Sequence, residues 1–90
     1  MKTEIHNSSL EPISVIIRYD LSLYQITKKA SDTTICSDGC TFMFILQSIF
    51  IEHPLIAQLY PPGSLGFTVN GEPPDADRPM RDGDVIDLIT

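Results

Sequence analysis

The sequence predicts an α+β fold of two layers, in which one main helix packs on one face of a mixed sheet of four or five strands. Short segments rich in β-branched residues stand near both ends of the 90-residue chain, ISVIIRY at 13–19 and DVIDLI at 84–89. A longer apolar run at 42–51 lies between them. Because the first and last segments have the densest β-branched content, we expect them to be neighbouring strands in the centre of the sheet.

The polar residues 1–12, MKTEIHNSSLEP, are predicted to form a flexible N-terminal arm, and residues 13–90 are predicted to form one domain. The arm has no apolar core of the kind that a secretory signal requires. No segment of the chain approaches the roughly 20 apolar residues that span a bilayer. These features predict a cytoplasmic protein.

The first part of the domain is predicted to contain two strands. Ile13–Tyr19 is short and β-branched, which is typical of a strand. Its apolar residues run consecutively, as expected where both faces of a strand are covered. Thr33–Cys36 is predicted to be a second short strand. The residues between them, Asp20–Asp32, are expected to continue a hairpin with a turn near residues 28–31.

The central apolar run is predicted to be the main helix. Thr41 can cap it, because its side-chain oxygen can accept a hydrogen bond from a free N–H of the first turn. The helix is expected over Phe42–Ile51. Pro54 disfavours helical geometry at His53, so the helix should end or bend there. Leu55–Tyr60 can form one more turn before the Pro-Pro-Gly sequence ends it.

The last part of the domain is predicted to be two strands joined by a long irregular stretch. Leu65–Val69 is the first strand, and the Asn70-Gly71 pair that follows favours a tight turn because both residues tolerate positive φ. Residues 72–79 hold three prolines and three acids, which disfavour regular pairing. Asp82-Gly83 is a second turn, and Asp84–Ile89 is the closing strand.

Two segments resemble the MoaD/ThiS family of sulfur carriers. SDGCTFMFILQSIFIEHPLIAQLY resembles the family's turn that leads into a helix ending near a His/Tyr-Pro. FTVNGEPPDADRPMRDGDVIDLI resembles its closing segment, which has Val-Asn-Gly-Glu, a D-x-P-L element, a K/R-D-G-D-x-V element and a last strand. The corresponding residues here are Val69–Glu72, Asp77–Met80 and Arg81–Asp84, and the similarity extends from Ile13 to Ile89.

The resemblance implies a β-grasp (ubiquitin-like) fold with no enzymatic activity of its own. It implies a protein partner, either an E1-like adenylyltransferase or a sulfur-transfer enzyme with a basic docking face. Carriers of this family are adenylated at the C-terminal carboxylate, which becomes a thiocarboxylate and supplies sulfur for molybdopterin or thiamine thiazole biosynthesis. Their Gly-Gly end makes a slender arm, because glycine has no side chain and the freest backbone.

The sequence departs from that pattern at its end, where the carboxylate of Thr90 follows the last predicted strand directly. We therefore expect a non-catalytic protein-binding partner or small subunit that needs no cofactor and no metal. The alternative is a genuine sulfur carrier whose tail is missing from these residues or is supplied by a longer product.

The predicted helix is apolar on two faces. At 100° per residue, Phe44 and Ile51 fall opposite the core stripe. The stripe consists of Phe42, Ile45, Leu46 and Ile49. The second face favours a protein partner or a homodimer. Alternatively, the N-terminal arm or Asp20–Asp32 folds over it.

The acids near the end of the chain are a second candidate docking site. The formal net charge is −6, which favours a basic partner and disfavours nucleic acid and anionic membranes. The predicted docking acids are Glu72, Asp75, Asp77, Asp82 and Asp84. Alternatively, they belong to a solvated loop in which Asp is favoured for its local hydrogen bonds.

Cys36 and Cys40 form a C-x₃-C motif, and the chain has no further cysteine for a zinc site of the usual four ligands. We expect two partly buried thiols beside a turn. The alternatives are a redox pair and a metal module.

Overall fold

A computed structural model describes residues 11–61 and 63–90, which form a four-stranded mixed sheet with its helices on one face. The predicted arm lies outside the described residues except for its last two. The elements in chain order are β1 (Pro12–Tyr19), α1 (Leu21–Thr27), β2 (Ser31–Ser37), α2 (Phe42–Glu52), α3 (Pro54–Leu59), β3 (Gly66–Val69) and β4 (Val85–Ile89). None of the helices described is long and apolar enough to cross a membrane.

The sheet has the strand order β2-β1-β4-β3. The central strands β1 and β4 are parallel, in register from Ile16 with Val85 to Tyr19 with Leu88. Both outer strands are antiparallel to their neighbours. The prediction that the first and last strands are central neighbours is therefore confirmed.

Among the described residues, other elements cover strand β1 on one face only. Val15 and Ile17 are fully buried, whereas Ile16 between them is 37% exposed. The prediction that both faces of this strand are covered is wrong. The helices lie over a single face of the sheet, and alternate side chains of a strand point to opposite faces.

The connection between β1 and β2 differs from the prediction, because it contains the helix α1. Asp20 caps this helix by accepting a hydrogen bond from the Leu23 N–H at 3.0 Å, and Lys28 ends it in the left-handed region with φ +65°. Leu23 and Thr27, four residues apart, are its buried side chains. The two strands still pair antiparallel, so the hairpin is present and its loop holds one short helix.

The main helix α2 begins and ends close to the predicted positions. The Thr41 hydroxyl accepts a hydrogen bond from the Phe44 N–H at 3.2 Å. His53 leaves helical geometry with φ −127° and ψ 72°, and Pro54 starts α3. Among the described residues, the buried hydrophobic side chains, each at most 8% exposed, are Ile13, Val15, Ile17, Tyr19, Leu23, Phe42, Ile45, Leu46, Ile49, Ile56, Val69, Met80, Ile86 and Leu88.

The Asn70-Gly71 pair forms the predicted tight turn. Both residues have positive φ, 53° and 87°, and the backbones of Val69 and Glu72 exchange hydrogen bonds of 2.7 and 3.1 Å across it. The Asn70 side chain also accepts from the Val85 N–H at 3.0 Å. The turn is thereby joined to the start of β4, and the irregular stretch between them is left as a loop.

Candidate protein-docking surface

The outer side of α2 is apolar and exposed. Phe44 is 53% exposed and Ile51 is 81% exposed, while the core stripe of the same helix is buried. Met43 beside them is 39% exposed. We call Met43, Phe44 and Ile51 the outer helix face. The structure therefore places Phe44 and Ile51 on the side of the helix that the periodicity predicts.

One of the two predicted covers for this face is wrong. The segment Asp20–Asp32 forms α1 and the beginning of β2, and it leaves Phe44 and Ile51 exposed. The other predicted cover, the N-terminal arm, lies outside the described residues apart from Glu11 and Pro12.

Two leucines of α3 are exposed as well, and the sequence analysis did not single them out. Leu55 is 51% exposed and Leu59 is 59% exposed. Their spacing of four residues is the signal that could have identified them, because it puts both on one side of a helix. They add exposed apolar area on α3, beyond the bend at His53.

Four of the five predicted docking acids lie on a loop that crosses the first turn of α2. We call residues 72–82 the acidic loop. The Phe42 N–H donates to the Arg78 carbonyl at 2.9 Å, and the Met43 N–H donates to the Ala76 carbonyl at 3.0 Å. The first N–H groups of a helix have no partner within it, and here the loop supplies their acceptors. The same bonds bring the acidic loop next to the outer helix face.

Four of the five predicted docking acids are exposed: Glu72, Asp75, Asp77 and Asp82. The Asp82 carboxylate also accepts a hydrogen bond from the Ser14 N–H at 2.8 Å. Of the two arginines in this loop, Arg78 is engaged by Asp84, and Arg81 is exposed. The exposed acids thus give the loop a negative surface beside the apolar residues of α2.

Asp84 does not belong to this surface, and its prediction as a docking residue is wrong. The residue is only 8% exposed. Its carboxylate accepts hydrogen bonds from the Arg81 N–H at 2.8 Å, the Asn70 side chain at 2.9 Å and Arg78 Nη1 at 3.1 Å. Burial acts to raise the pKa of Asp84, but these donors outweigh it and hold the pKa below the ordinary 3.8. Asp84 therefore fixes the acidic loop to the start of β4.

The last residue lies against the beginning of α1. The backbone N–H and the hydroxyl of Thr90 both donate to Asp20 Oδ2, each at 2.6 Å. The preceding residue, Ile89, is paired with Gly66 in the sheet. Burial acts to raise the pKa of Asp20, but the bonds from Thr90 and the α1 backbone hold it below 3.8. The ionised carboxylate thus caps α1 and holds Thr90 at once.

Cys36 and Cys40 are joined in a disulfide. The prediction of two free thiols is therefore wrong for this structure. The bridge closes the turn between β2 and α2, one residue before the cap Thr41. The Cys40 carbonyl accepts from the Met80 N–H at 2.7 Å, so the disulfide also borders the acidic loop.

An apolar groove of about 320 Å³ lies between α2, α3 and β3. It is lined by Leu46, Phe50, Ala57, Tyr60, Pro61, Gly63, Leu65 and Phe67. The sequence analysis did not predict it, because its walls come from segments whose relative placement depends on the tertiary fold.

Taken together, the mixed sheet with a parallel central pair and helices on one face is a β-grasp fold, of the ubiquitin-like and MoaD-like kind. Its surface combines an apolar helix face with an acidic loop. The class that these features define is a small α+β domain with an exposed apolar helix face beside an acidic loop.

Solved structures share this fold. A Pyrococcus furiosus protein provisionally described as molybdopterin converting factor, subunit 1, is 18% identical with a TM-score of 0.73, over 84% of this chain and 94% of that chain. Small archaeal modifier protein 1 of H. volcanii is 13% identical with a TM-score of 0.72, over the same shares of the two chains. The Haloferax volcanii HVO 2177 protein is 15% identical with a TM-score of 0.71, over 86% of this chain and 81% of that chain.

No protein-family model matches the chain, and no curated protein matches its sequence. At these identities the structural similarity shows the fold. The predicted resemblance is thus confirmed at the level of the MoaD-like, ubiquitin-like β-grasp architecture.

Proposed function

We propose that the chain is a non-catalytic binding domain that docks on a larger protein through the outer helix face and the acidic loop. The observation that carries this proposal is the exposure of Phe44 and Ile51, at 53% and 81%, on a helix whose other side already completes the core. In a monomer these side chains stay exposed to water and add little to the stability of the fold. A partner that covers them gains about 1.5–3 kcal/mol for each.

The chemistry of the surface specifies the kind of partner. The acids of the loop lie beside the apolar helix face, so a complementary surface has an apolar depression bordered by Lys and Arg. Opposite charges of this kind mainly raise the association rate and fix the orientation. The solved structures with this fold include a molybdopterin converting factor subunit and an archaeal modifier protein. We therefore propose an E1-like adenylyltransferase or a sulfur-transfer enzyme as the partner, in the cytoplasm. A second copy of the chain, bound through the same face, is the alternative occupant.

The double substitution Phe44→Glu with Ile51→Lys is expected to abolish docking and to leave the fold intact. Both side chains are exposed, so the free energy of unfolding should change by less than about 1 kcal/mol. Loss of two buried apolar contacts should weaken binding by about a hundredfold or more. Calorimetric titration with the adenylyltransferase and sedimentation of the chain alone measure the two possible associations.

Leu21→Glu with Ile35→Lys is the matched control. It changes two apolar side chains that are also exposed, at 77% and 61%, on α1 and β2. This variant should bind as the unchanged chain does. Unfolding of the Phe44/Ile51 variant would show that the face is core, and unchanged binding would place the docking surface elsewhere.

The alternative function is sulfur carriage, and the names of the similar structures favour it as the second candidate. A carrier must present its terminal carboxylate on a slender arm that enters the adenylation site. Thr90 instead donates two hydrogen bonds to Asp20 immediately after the last paired strand residue. These two bonds hold Thr90 against the beginning of α1.

An adenylation assay distinguishes docking from sulfur carriage. The 90-residue chain, incubated with an E1-like adenylyltransferase and ATP, is expected to give no acyl-adenylate by mass spectrometry, because the N–H and the hydroxyl of Thr90 are bonded to Asp20 at the start of α1. A chain extended by Gly-Gly after Thr90 is the positive control, because it keeps the docking surface and adds the arm. An adenylate on the unextended chain would contradict the proposal and assign sulfur carriage.

A further inference from the structure

A cluster of three potential metal ligands lies away from the acidic loop, where the bend between α2 and α3 meets the edge strand β2. It consists of Asp32 on β2, Glu52 at the end of α2 and His53 at the bend. One ligand atom from each lies within 4.8 Å of the other two. The docking function makes no use of these groups.

A hydrogen bond between His53 and Asp32 already holds two of the three ligand atoms at about the separation that a bound ion requires. The ion would take the place of the proton between them, and that proton would be released to solvent. His53 Nε2 and Asp32 Oδ2 are 3.1 Å apart. Ligands at 2.0–2.1 Å in a tetrahedral zinc site are separated by about 3.3 Å. The Glu52 side chain is exposed, so it can rotate toward the same point without disturbing the core. The exposure of Glu52 also leaves an entry path and an open position for water.

The other two side chains are held in place by their surroundings. The side chains of His53 and Asp32 are 13% and 14% exposed. The His53 ring packs edge-on against Tyr19 with the ring centres 5.8 Å apart, and the Tyr19 hydroxyl donates to Asp32 Oδ2 at 2.8 Å. Burial and the bond to Asp32 raise the pKa of Tyr19, so its hydroxyl keeps the proton that it donates. Hydrogen bonds to a ligand carboxylate are typical of metal sites, because they orient the ligand.

The positive charge of Lys29 disfavours the binding of a metal cation at this cluster. Its Nζ lies 2.8 Å from Asp32 Oδ1, while the cluster geometry presents the other oxygen, Oδ2, to His53. Burial acts to raise the pKa of Asp32, but the donors Lys29, Tyr19 and His53 hold it below 3.8, so the carboxylate is ionised. The Lys29 side chain is 48% exposed and is free to move away. The charges of Asp32, Glu52 and Lys29 sum to −1, so the cluster attracts a cation. Binding of a divalent cation changes that sum to +1.

We propose that Asp32, Glu52 and His53 form a binding site for a divalent transition-metal ion of the zinc class. A site of one imidazole and two carboxylates suits such ions, and water completes the coordination. The ion would join the edge strand β2 to the bend between α2 and α3. It would thereby hold the end of the helix that carries Ile51.

The test is a calorimetric titration of the full chain with ZnCl₂, with the Cys36–Cys40 disulfide intact so that no thiolate competes. One ion per chain is expected to bind, and Co²⁺ in its place should give the visible absorption of a low-coordinate site. Glu52→Gln should weaken binding about tenfold or more, as expected for the loss of a ligand. The matched control is Glu72→Gln, an equally exposed acid outside the cluster, which should bind zinc as the unchanged chain does.

Substitution of Lys29 is expected to have the opposite effect on zinc affinity. Lys29→Gln removes the positive charge beside Asp32 and should tighten zinc binding severalfold, whereas Lys28→Gln, its exposed neighbour, should change it little. In addition, the imidazole NMR signals of His53 should shift on zinc addition, and a His6→Gln variant should still bind. Absence of one-to-one binding, equal effects of Glu52→Gln and Glu72→Gln, or loss of binding in His6→Gln would each overturn the proposal.

Discussion

Ile45→Ala is expected to destabilise the domain by about 3 kcal/mol, because the side chain is fully buried between α2 and the sheet. Truncation removes its contacts and leaves a cavity that the neighbours fill only in part. A 90-residue domain has about 5–13 kcal/mol of stability in total, so this loss is a large share of it. Urea unfolding followed by circular dichroism measures the change.

Phe44→Ala is the matched control for that experiment. Phe44 precedes Ile45 in the same helix and is 53% exposed, so its truncation should cost less than about 0.5 kcal/mol. Alanine is a good helix former in both variants, so helix propensity does not account for a difference. If the two variants lost equal stability, the assignment of core stripe and outer helix face would be wrong, and the proposed docking surface with it.

Asp84→Ala is expected to be the second large effect, a loss of about 3 kcal/mol. The substitution leaves the Asn70 amide, the Arg81 N–H and the Arg78 guanidinium without the acceptor that they share. The acidic loop should then separate from the start of β4, which weakens docking indirectly. Urea unfolding of this variant, compared with Asp77→Ala, measures the effect. The exposed Asp77 should change stability by less than about 0.5 kcal/mol.

The Asp84 carboxylate also makes the stability of the domain depend on pH, and the direction of that dependence follows from its pKa. The pKa of Asp84 is lowered in the folded chain from its ordinary value of 3.8. Its stabilisation is therefore complete above pH 3.8 and is lost as the pH falls through the lower folded value. The stability difference between the unchanged chain and Asp84→Asn should be constant near neutral pH and shrink below about pH 4. A difference that grows on acidification would contradict the role assigned to Asp84.

Several elements were predictable because their signals are local. Asn70-Gly71 tolerates the positive φ values that the turn requires, and Pro54 excludes helical geometry at His53. The β-branched density of the first and last strands was enough to place them at the centre of the sheet. The 100° periodicity of residues 42–51 separated the buried side of α2 from Phe44 and Ile51.

The errors arose where one residue type serves several local structures. The Asp20 carboxylate was not identified as a helix cap, since an aspartate is equally common in turns, and α1 was predicted as part of a hairpin. The local sequence does not distinguish Asp84 from the exposed acids near it, although three hydrogen-bond donors surround its carboxylate in the structure. The disulfide was not predicted, because a C-x₃-C spacing does not show whether two cysteines meet.

The sequence by itself determined the order of the strands and the main helix, the Asn70-Gly71 turn and the apolar second face of that helix, because each depends on residue preferences or on periodicity within one segment. Only the tertiary structure decided which acids are exposed, that the acidic loop lies across the first turn of α2, and that Asp32 meets His53 from 21 positions away. Those outcomes depend on contacts between distant segments. Such contacts arise when the sheet and helices bury their apolar faces together, and no local pattern encodes them.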